Sequence, residues 1–173
     1  MKLVIRLIAF LLLWLAFATS APALTEDEAE RIARWAGFPG IVTVDRDVEK
    51  PNGYFTVFLG MPEVIVNQPA WMPDSWATLV LLHEIGHYFQ WRGGYIMDMD
   101  PVDKEWQADV WGLRAACAYG VTLRDYEALW LRMVELYGDP RSPTHGRRSA
   151  RMRYALTHAG EACGARAEAP WQA

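Results

Sequence analysis

Residues 83–87 read HEIGH, an instance of the H-E-x-x-H pattern. In a helix this spacing places His83 and His87 one turn apart on the same face, where their two imidazoles can bind one Zn²⁺. Glu84 lies beside that face, and its carboxylate is placed to take a proton from a metal-bound water instead of binding the metal itself. The pattern therefore predicts a zinc site with Glu84 as its general base.

A plainer interpretation of the same five residues is a solvent-facing polar stretch on an amphipathic helix. The flanking sequence argues against it, because residues 76–89, WATLVLLHEIGHYF, are almost wholly apolar apart from His83, Glu84 and His87. Such a helix should be buried nearly all round. Polar groups placed there need partners, and a metal supplies them.

A catalytic zinc takes three protein ligands and keeps one position open, so two histidines are not enough. The longer pattern with a third histidine would need Gly at 90 and His at 93, where this chain has Gln90 and Gly93. A carboxylate must therefore serve, and the downstream candidates are Asp98, Asp100, Asp103, Glu105 and Asp109. Glu105 is the best of them, because it falls on a predicted helix with Asp109 one turn later. We expect Glu105 to bind the metal and Asp109 to accept the outer N–H of a ligand histidine; the alternative for both is a solvated helix face.

Taken together, HEIGH and residues 105–109, EWQAD, resemble the H-E-x-x-H…E-x-x-A-D arrangement of the gluzincin metallopeptidases. The resemblance implies a minimal zincin-like fold, in which a small sheet packs beside an active-site helix and a second helix carries the glutamate. It also implies that a substrate strand lies along the edge of that sheet. The resemblance covers roughly residues 76–156.

Residues 142–152, SPTHGRRSARM, are similar to the T-H-P-x-x-x-x-R-I tail of the CAAX-prenyl-protease-type family and its soluble bacterial relatives. Gly146 stands in place of the usual proline, and Met152 in place of the usual isoleucine. The resemblance implies that His145 lies by the active site, where it is placed to donate a hydrogen bond to the oxyanion of a tetrahedral intermediate. An inhibitory fourth ligand and a plain loop histidine stay open as alternatives for His145. Arg151 either pairs with a core carboxylate or faces water.

The N-terminus has the three parts of a secretory signal peptide. Lys2 and Arg6 precede an apolar run over residues 7–18, and Ala21-Pro22-Ala23 offers a small-x-small cleavage site. Cleavage after residue 23 would leave residues 24–173 as a single exported metallopeptidase domain, periplasmic or secreted. The apolar run is shorter than the ~20 residues that span a bilayer, so we expect no stable membrane insertion after cleavage; an uncleaved anchor is the alternative.

The net charge of the chain bears on the class of partner that it can bind. The net charge is −4 and becomes more negative once Lys2 and Arg6 are removed, which argues against nucleic acid as a partner.

Cys117 and Cys163 are the only cysteines, and in an oxidising compartment we predict that they form a disulfide joining the last helix to the helix of Cys117. The alternative is one buried thiol and one thiol near a loose tail.

The order of the elements predicts an α+β domain: a small, mainly antiparallel three-stranded sheet packed on the active-site helix, with three further C-terminal helices. The first two strands are expected to form a hairpin around the turn signal at Pro51-Asn52-Gly53. The predicted elements are a first helix over 25–37, strands over 41–48, 54–61 and 62–68, the HEIGH helix from Asp74 or Ser75 to Gly93, helices over 103–118, 122–138 and 146–160, and a loose tail from 165.

These patterns favour an exported zinc-dependent peptidase that acts on peptides or unfolded proteins. Two other functions fit the same residues. One is a catalytically inactive interaction protein that zinc stabilises, and the other is a hydrolase of cell-wall peptides. Glu84 separates the first alternative from an enzyme, because a purely structural zinc site has no need of a general base.

Overall fold

Five helices and three strands follow one another along the described part of the chain. The computed structural model describes residues 23–164, except for the side chains of residues 160–162 and 164. Almost all of the predicted signal segment and the predicted tail from 165 lie outside the described residues. The elements are α1 (Glu26–Trp35), β1 (Ile41–Asp45), β2 (Asn52–Phe58), β3 (Met61–Asn67), α2 (Asp74–Arg92), a 3₁₀ turn (Tyr95–Met97), α3 (Pro101–Tyr119), α4 (Leu123–Tyr137) and α5 (Arg148–Gly164). The predicted α+β class is confirmed.

The helix boundaries follow the capping signals in the sequence. Helix α2 begins at Asp74 and is followed by Gly93, as predicted. Helix α3 ends before Gly120, which has φ 108° and so takes the left-handed conformation that glycine tolerates. Helix α4 begins with a capping box, in which the Thr122 hydroxyl accepts from the Asp125 backbone N–H and the Asp125 carboxylate accepts from the Thr122 N–H. Helix α5 begins two residues later and ends four residues later than predicted.

The sheet differs from the prediction in its strand order. The order is β1-β3-β2, so β3 is central and pairs parallel with β1 and antiparallel with β2. The predicted hairpin between the first two strands is therefore wrong, and the hairpin joins β2 to β3. The chain turns at Leu59 and Gly60, whose φ angles of 50° and 80° suit the two central residues of a tight hairpin. Asn52 and Gly53, which we predicted as the turn, begin β2 instead.

One face of this sheet packs against α2. Val64 and Val66 of β3 are fully buried, as are Leu81, Leu82 and Ile85 of α2. Burying such a side chain stabilises the fold by about 1.5–3 kcal/mol, so this layer fixes α2 firmly on the sheet. Helix α2 is buried around most of its circumference, as the apolar run predicted, and the polar groups of HEIGH must find partners inside the protein.

Helices α3 and α5 are joined covalently. Cys117 of α3 and Cys163 of α5 form a disulfide, which confirms the predicted pairing. The closed loop spans a sequence separation of 46 residues, and in the chain-entropy model such a loop stabilises the folded state by about 4 kcal/mol. Within residues 23–164, no helix is both long enough and apolar enough to cross a membrane.

Candidate metal centre

The three predicted ligands meet at one point between α2 and α3. Nε2 of His83 lies 3.6 Å from Oε2 of Glu105, and Nε2 of His87 lies 3.4 Å from Oε1 of the same carboxylate. One ligand atom from each residue lies within 4.8 Å of the other two. This group could hold a metal ion.

Small residues let the two helices approach closely enough for this. A Cβ atom on Gly112 of α3 would lie 2.8 Å from the backbone nitrogen of His83, nearer than real Cβ atoms come. One turn earlier on α3, Ala108 lies against Gly86 of α2. The backbones therefore meet at the level of the histidines, and Glu105 is brought within reach of both imidazoles.

Each ligand histidine has a second partner that orients its ring. Nδ1 of His83 lies 3.0 Å from Oδ1 of Asp109, whose side chain is only 3% exposed. This is the contact predicted for Asp109, and it turns Nε2 of His83 toward Glu105. Nδ1 of His87 lies 2.8 Å from Oε1 of Gln90, and Nε2 of Gln90 donates to the backbone carbonyl of Lys104. We had not predicted a role for Gln90; its position three residues after His87 on a buried helix was the available signal.

Arg151 reaches the same site from α5. Of the two predicted environments, the structure gives the buried one, because the guanidinium donates two hydrogen bonds to Asp109 and lies 2.9 Å from Oε2 of Glu105. It also lies over the ring of Trp130, 4.9 Å from its centroid. The buried carboxylate of Asp109 and the partly buried carboxylate of Glu105 thus face one buried arginine and the imidazole of His83.

These charged groups shift one another's pKa. Burial alone would lower the pKa of His83, but its hydrogen bonds to Asp109 and Glu105 outweigh burial and raise that pKa to about 10. Burial would raise the pKa of Glu105, yet the hydrogen bonds from His83 and His87 hold it well below its usual range. Burial would raise the pKa of Asp109, but the charges and hydrogen bonds of Arg151 and His83 together outweigh burial and lower it. Both carboxylates are therefore ionised at neutral pH, as a metal ligand and its outer partner should be.

His83, His87 and Glu105 are called the ligand group below. Glu84, the predicted general base, is buried beside the ligand group and is not part of it. Its side chain points toward β2, where a Cβ atom on Gly53 would lie 2.6 Å from Oε1 of Glu84. Burial raises the pKa of Glu84, although the charges of His83 and His87 oppose this. Since Gly53 has no side chain, the first residues of the edge strand β2 and the carboxylate of Glu84 can line the same cavity.

His145 also lines that cavity. It lies in a short turn closed by the bridge between Ser142 and Gly146, and its side chain is 58% exposed. Nδ1 of His145 lies 2.6 Å from the hydroxyl of Thr144, and Nε2 lies 3.7 Å from Oε1 of Glu105. The structure therefore places His145 beside the site, as predicted, but outside the group of three ligands.

The cavity has a volume of about 680 Å³, with a polar end and an apolar wall. The polar end holds the ligand group, Glu84 and His145. The wall is one face of α4, which lines the cavity together with Leu79 and Val80 of α2. Four of its side chains recur at helical spacing: Tyr126, Leu129, Trp130 and Met133.

No protein-family model, curated protein or solved structure matches this chain. Two imidazoles and one carboxylate are a ligand set suited to a divalent cation such as Zn²⁺, and a buried carboxylate beside them is suited to proton transfer.

Proposed function

We propose that this protein is a zinc-dependent peptidase of the gluzincin type. The observation that carries the proposal is the convergence of His83, His87 and Glu105 with the buried carboxylate of Glu84 next to His83 on the same helix. Catalytic zinc sites use three such ligands and keep one position open. A structural zinc site is closed by four protein ligands and has no need of a buried carboxylate at its side, so the arrangement favours an enzyme over an inert domain.

Bound Zn²⁺ would act as a Lewis acid here, lowering the pKa of a coordinated water to about 7 and polarising the substrate carbonyl. Glu84 accepts the proton of the attacking water and returns it to the leaving amine nitrogen. The raised pKa of Glu84 suits both steps, because a carboxylate tuned toward neutral pH accepts and releases a proton more readily. Asp109 and Gln90 engage Nδ1 of the two histidines and so leave both Nε2 atoms for the metal.

His145 supplies the hydrogen-bond donor for the oxyanion. Its Nδ1 is engaged by the Thr144 hydroxyl, and a hydroxyl that donates to Nδ1 leaves the ring proton on Nε2. That nitrogen faces the ligand group from the open side of the cavity. A donor held there stabilises negative charge that develops on the substrate oxygen during attack.

The substrate class follows from the walls of the cavity. Strand β2 is an edge strand whose first residues line the cavity, so its unpaired backbone groups can bind an extended peptide. The apolar face of α4 accommodates a large apolar side chain of that peptide. The Cys117–Cys163 disulfide fits maturation in an oxidising space, and we propose that the signal segment directs export there.

The test is a hydrolysis assay on the purified, zinc-loaded protein, with a casein-type substrate and purified cell wall in parallel. Glu84→Gln should keep one bound metal per chain while hydrolysis falls by about 10²–10⁴. Glu127→Gln, an exposed carboxylate change on α4, is the matched control and should leave both unchanged. Cleavage by Glu84→Gln at the native rate would refute the assigned base, and full metal content in Glu105→Ala would refute the ligand set. Cleavage of cell wall alone would move the substrate to wall peptides.

A further inference from the structure

Arg151 holds both carboxylates of the metal centre at once. Its Nε donates to Oδ2 of Asp109 at 2.7 Å, and its Nη2 donates to Oδ1 of Asp109 at 2.8 Å and lies 2.9 Å from Oε2 of Glu105. The arginine side chain is only 8% exposed. Because the guanidinium is planar and rigid, it fixes the position of two carboxylates that lie one helical turn apart.

The two oxygens of Glu105 therefore have different surroundings. Oε2 lies 2.9 Å from Nη2 of Arg151 and 3.6 Å from Nε2 of His83. Oε1 faces Nε2 of His87 at 3.4 Å and Nε2 of His145 at 3.7 Å, and it is the oxygen farther from the guanidinium. An oxygen that already forms an ion pair with a guanidinium has less electron density to offer a cation. Oε1 is the better metal ligand of the two.

We propose that Arg151 is a positioning residue that makes Glu105 bind the metal through one oxygen, Oε1. The proposal rests on the metal site proposed above, but not on peptide hydrolysis. A carboxylate released from Arg151 can rotate and bind the cation through both oxygens, since carboxylates bind metals in either mode. The second oxygen would then fill a position that a catalytic site must keep open for water and substrate.

The fold supports this role, because α5 is tied to α3 at two places. Near the start of α5, Arg151 pairs with Asp109 and Glu105; about three turns later, Cys163 is bonded to Cys117 of α3. The guanidinium is therefore held against α3 by the helix pair as a whole and by the ring of Trp130 beneath it. Because Arg151 is held in this way, it should keep the carboxylate of Glu105 in one orientation instead of several.

The experiment compares Arg151→Met and Arg151→Lys with the native protein after Co²⁺ is bound in place of Zn²⁺. The visible absorption of Co²⁺ is intense in four-coordinate sites and weakens when a fifth ligand binds. We expect weaker absorption in Arg151→Met, and a loss of Zn²⁺ affinity of about 10- to 100-fold in a chelator competition, as for other changes behind a metal ligand. Arg151→Lys keeps the positive charge but lacks the planar guanidinium. Its Co²⁺ absorption and Zn²⁺ affinity should therefore lie between those of the native protein and Arg151→Met. Arg153→Met, an exposed arginine on the same helix, is the matched control.

Removing Arg151 leaves Asp109 as an unpaired buried charge, which by itself can unfold a protein. A second comparison avoids this: Asp109→Asn alone against Asp109→Asn with Arg151→Met. In the single variant Arg151 still reaches Glu105, and in the double variant it does not. The proposal is overturned if the folded Arg151 variants, or the double variant against its single parent, keep the same Co²⁺ absorption and the same Zn²⁺ affinity. These readouts need no substrate, so an inactive but metal-binding protein would refute the peptidase and leave this test valid.

Discussion

Gly112 of α3 lies directly against the backbone of His83 of α2. An added Cβ at residue 112 would be 2.8 Å from the nitrogen of His83 and 2.9 Å from its Cα, and both are backbone atoms that cannot turn aside. The helix that supplies Glu105 and Asp109 is thus pressed onto the helix that supplies the two histidines. The geometry of the candidate metal site depends on this contact as much as on the three side chains that could bind the ion.

We expect Gly112→Ala to separate α3 from α2 at the metal site. Forcing a methyl group into a closely packed interface costs about 1–3 kcal/mol, although alanine favours the helix more than glycine does. The midpoint of thermal unfolding should fall by several degrees, and Zn²⁺ affinity should fall with it because Glu105 is displaced. Gln107→Ala, an exposed change on the same helix, controls for side-chain loss. Native affinity in the Gly112 variant would show that the helix contact does not set the site.

The three residues of the candidate metal site could be predicted from the sequence, and the structure brings them together. HEIGH is a local pattern whose meaning depends only on helical spacing, and Glu105 and Asp109 follow on a second helix with its own start and stop signals. The disulfide was predictable because only two cysteines are present. Local spacing therefore carries most of the information about which side chains form this centre.

The features of the fold that could not be predicted from the sequence depend on packing between distant segments. The strand order was wrong because Pro51-Asn52-Gly53 looks like a turn, whereas Gly53 is needed in β2 for its close approach to Glu84. Gly60 was the available signal for the turn between β2 and β3, but it lies within the strand that we predicted over residues 54–61. Arg151 pairs with Asp109 and Glu105 on a different helix, and no pattern within one segment specifies such a pair.

Gly53→Ala should impair the general base without removing the metal. The new methyl group would lie 2.6 Å from Oε1 of Glu84 and 2.7 Å from Cγ1 of Val80, so the carboxylate must move. A displacement of about 1 Å from a catalytic position can cost 100-fold in rate, and we expect a fall in kcat of that order with unchanged metal content. Thr56→Ala, at an exposed position of the same strand, should leave kcat unchanged. Equal kcat values in the two variants would contradict the role of this contact.

His145→Ala distinguishes the interpretations left open for that residue. If His145 donates to the oxyanion, kcat should fall about 10²–10³ while metal content and KM change little. An inhibitory fourth ligand would behave in the opposite way, because removing it would open the coordination position and raise the rate. His158→Ala is the control, since His158 is exposed and its Nδ1 bonds to the backbone of Tyr154 within α5. An unchanged rate in His145→Ala would leave it a plain loop residue.

Metal binding should release a proton from His83. Hydrogen bonds to Asp109 and Glu105 raise the pKa of His83 to about 10 in the protein without metal, so the ring is protonated at pH 8. Because the folded pKa lies above the unfolded value of about 6.5, this protonation stabilises the metal-free fold fully below pH 6.5, and the contribution is lost as the pH rises through about 10. A metal ligand must be neutral imidazole, so apparent Zn²⁺ affinity should rise with pH over this range.

Calorimetric titration with Zn²⁺ at pH 8, repeated in buffers of different ionisation enthalpy, counts the protons released. Asp109→Asn removes the strongest partner that raises the pKa of His83, so this variant should release about one proton fewer than the native protein. Any proton lost from a coordinated water is common to both proteins and cancels in the difference. If the two proteins release the same number of protons, Asp109 does not control the charge of His83, and the ionised Asp109 then serves Arg151 alone.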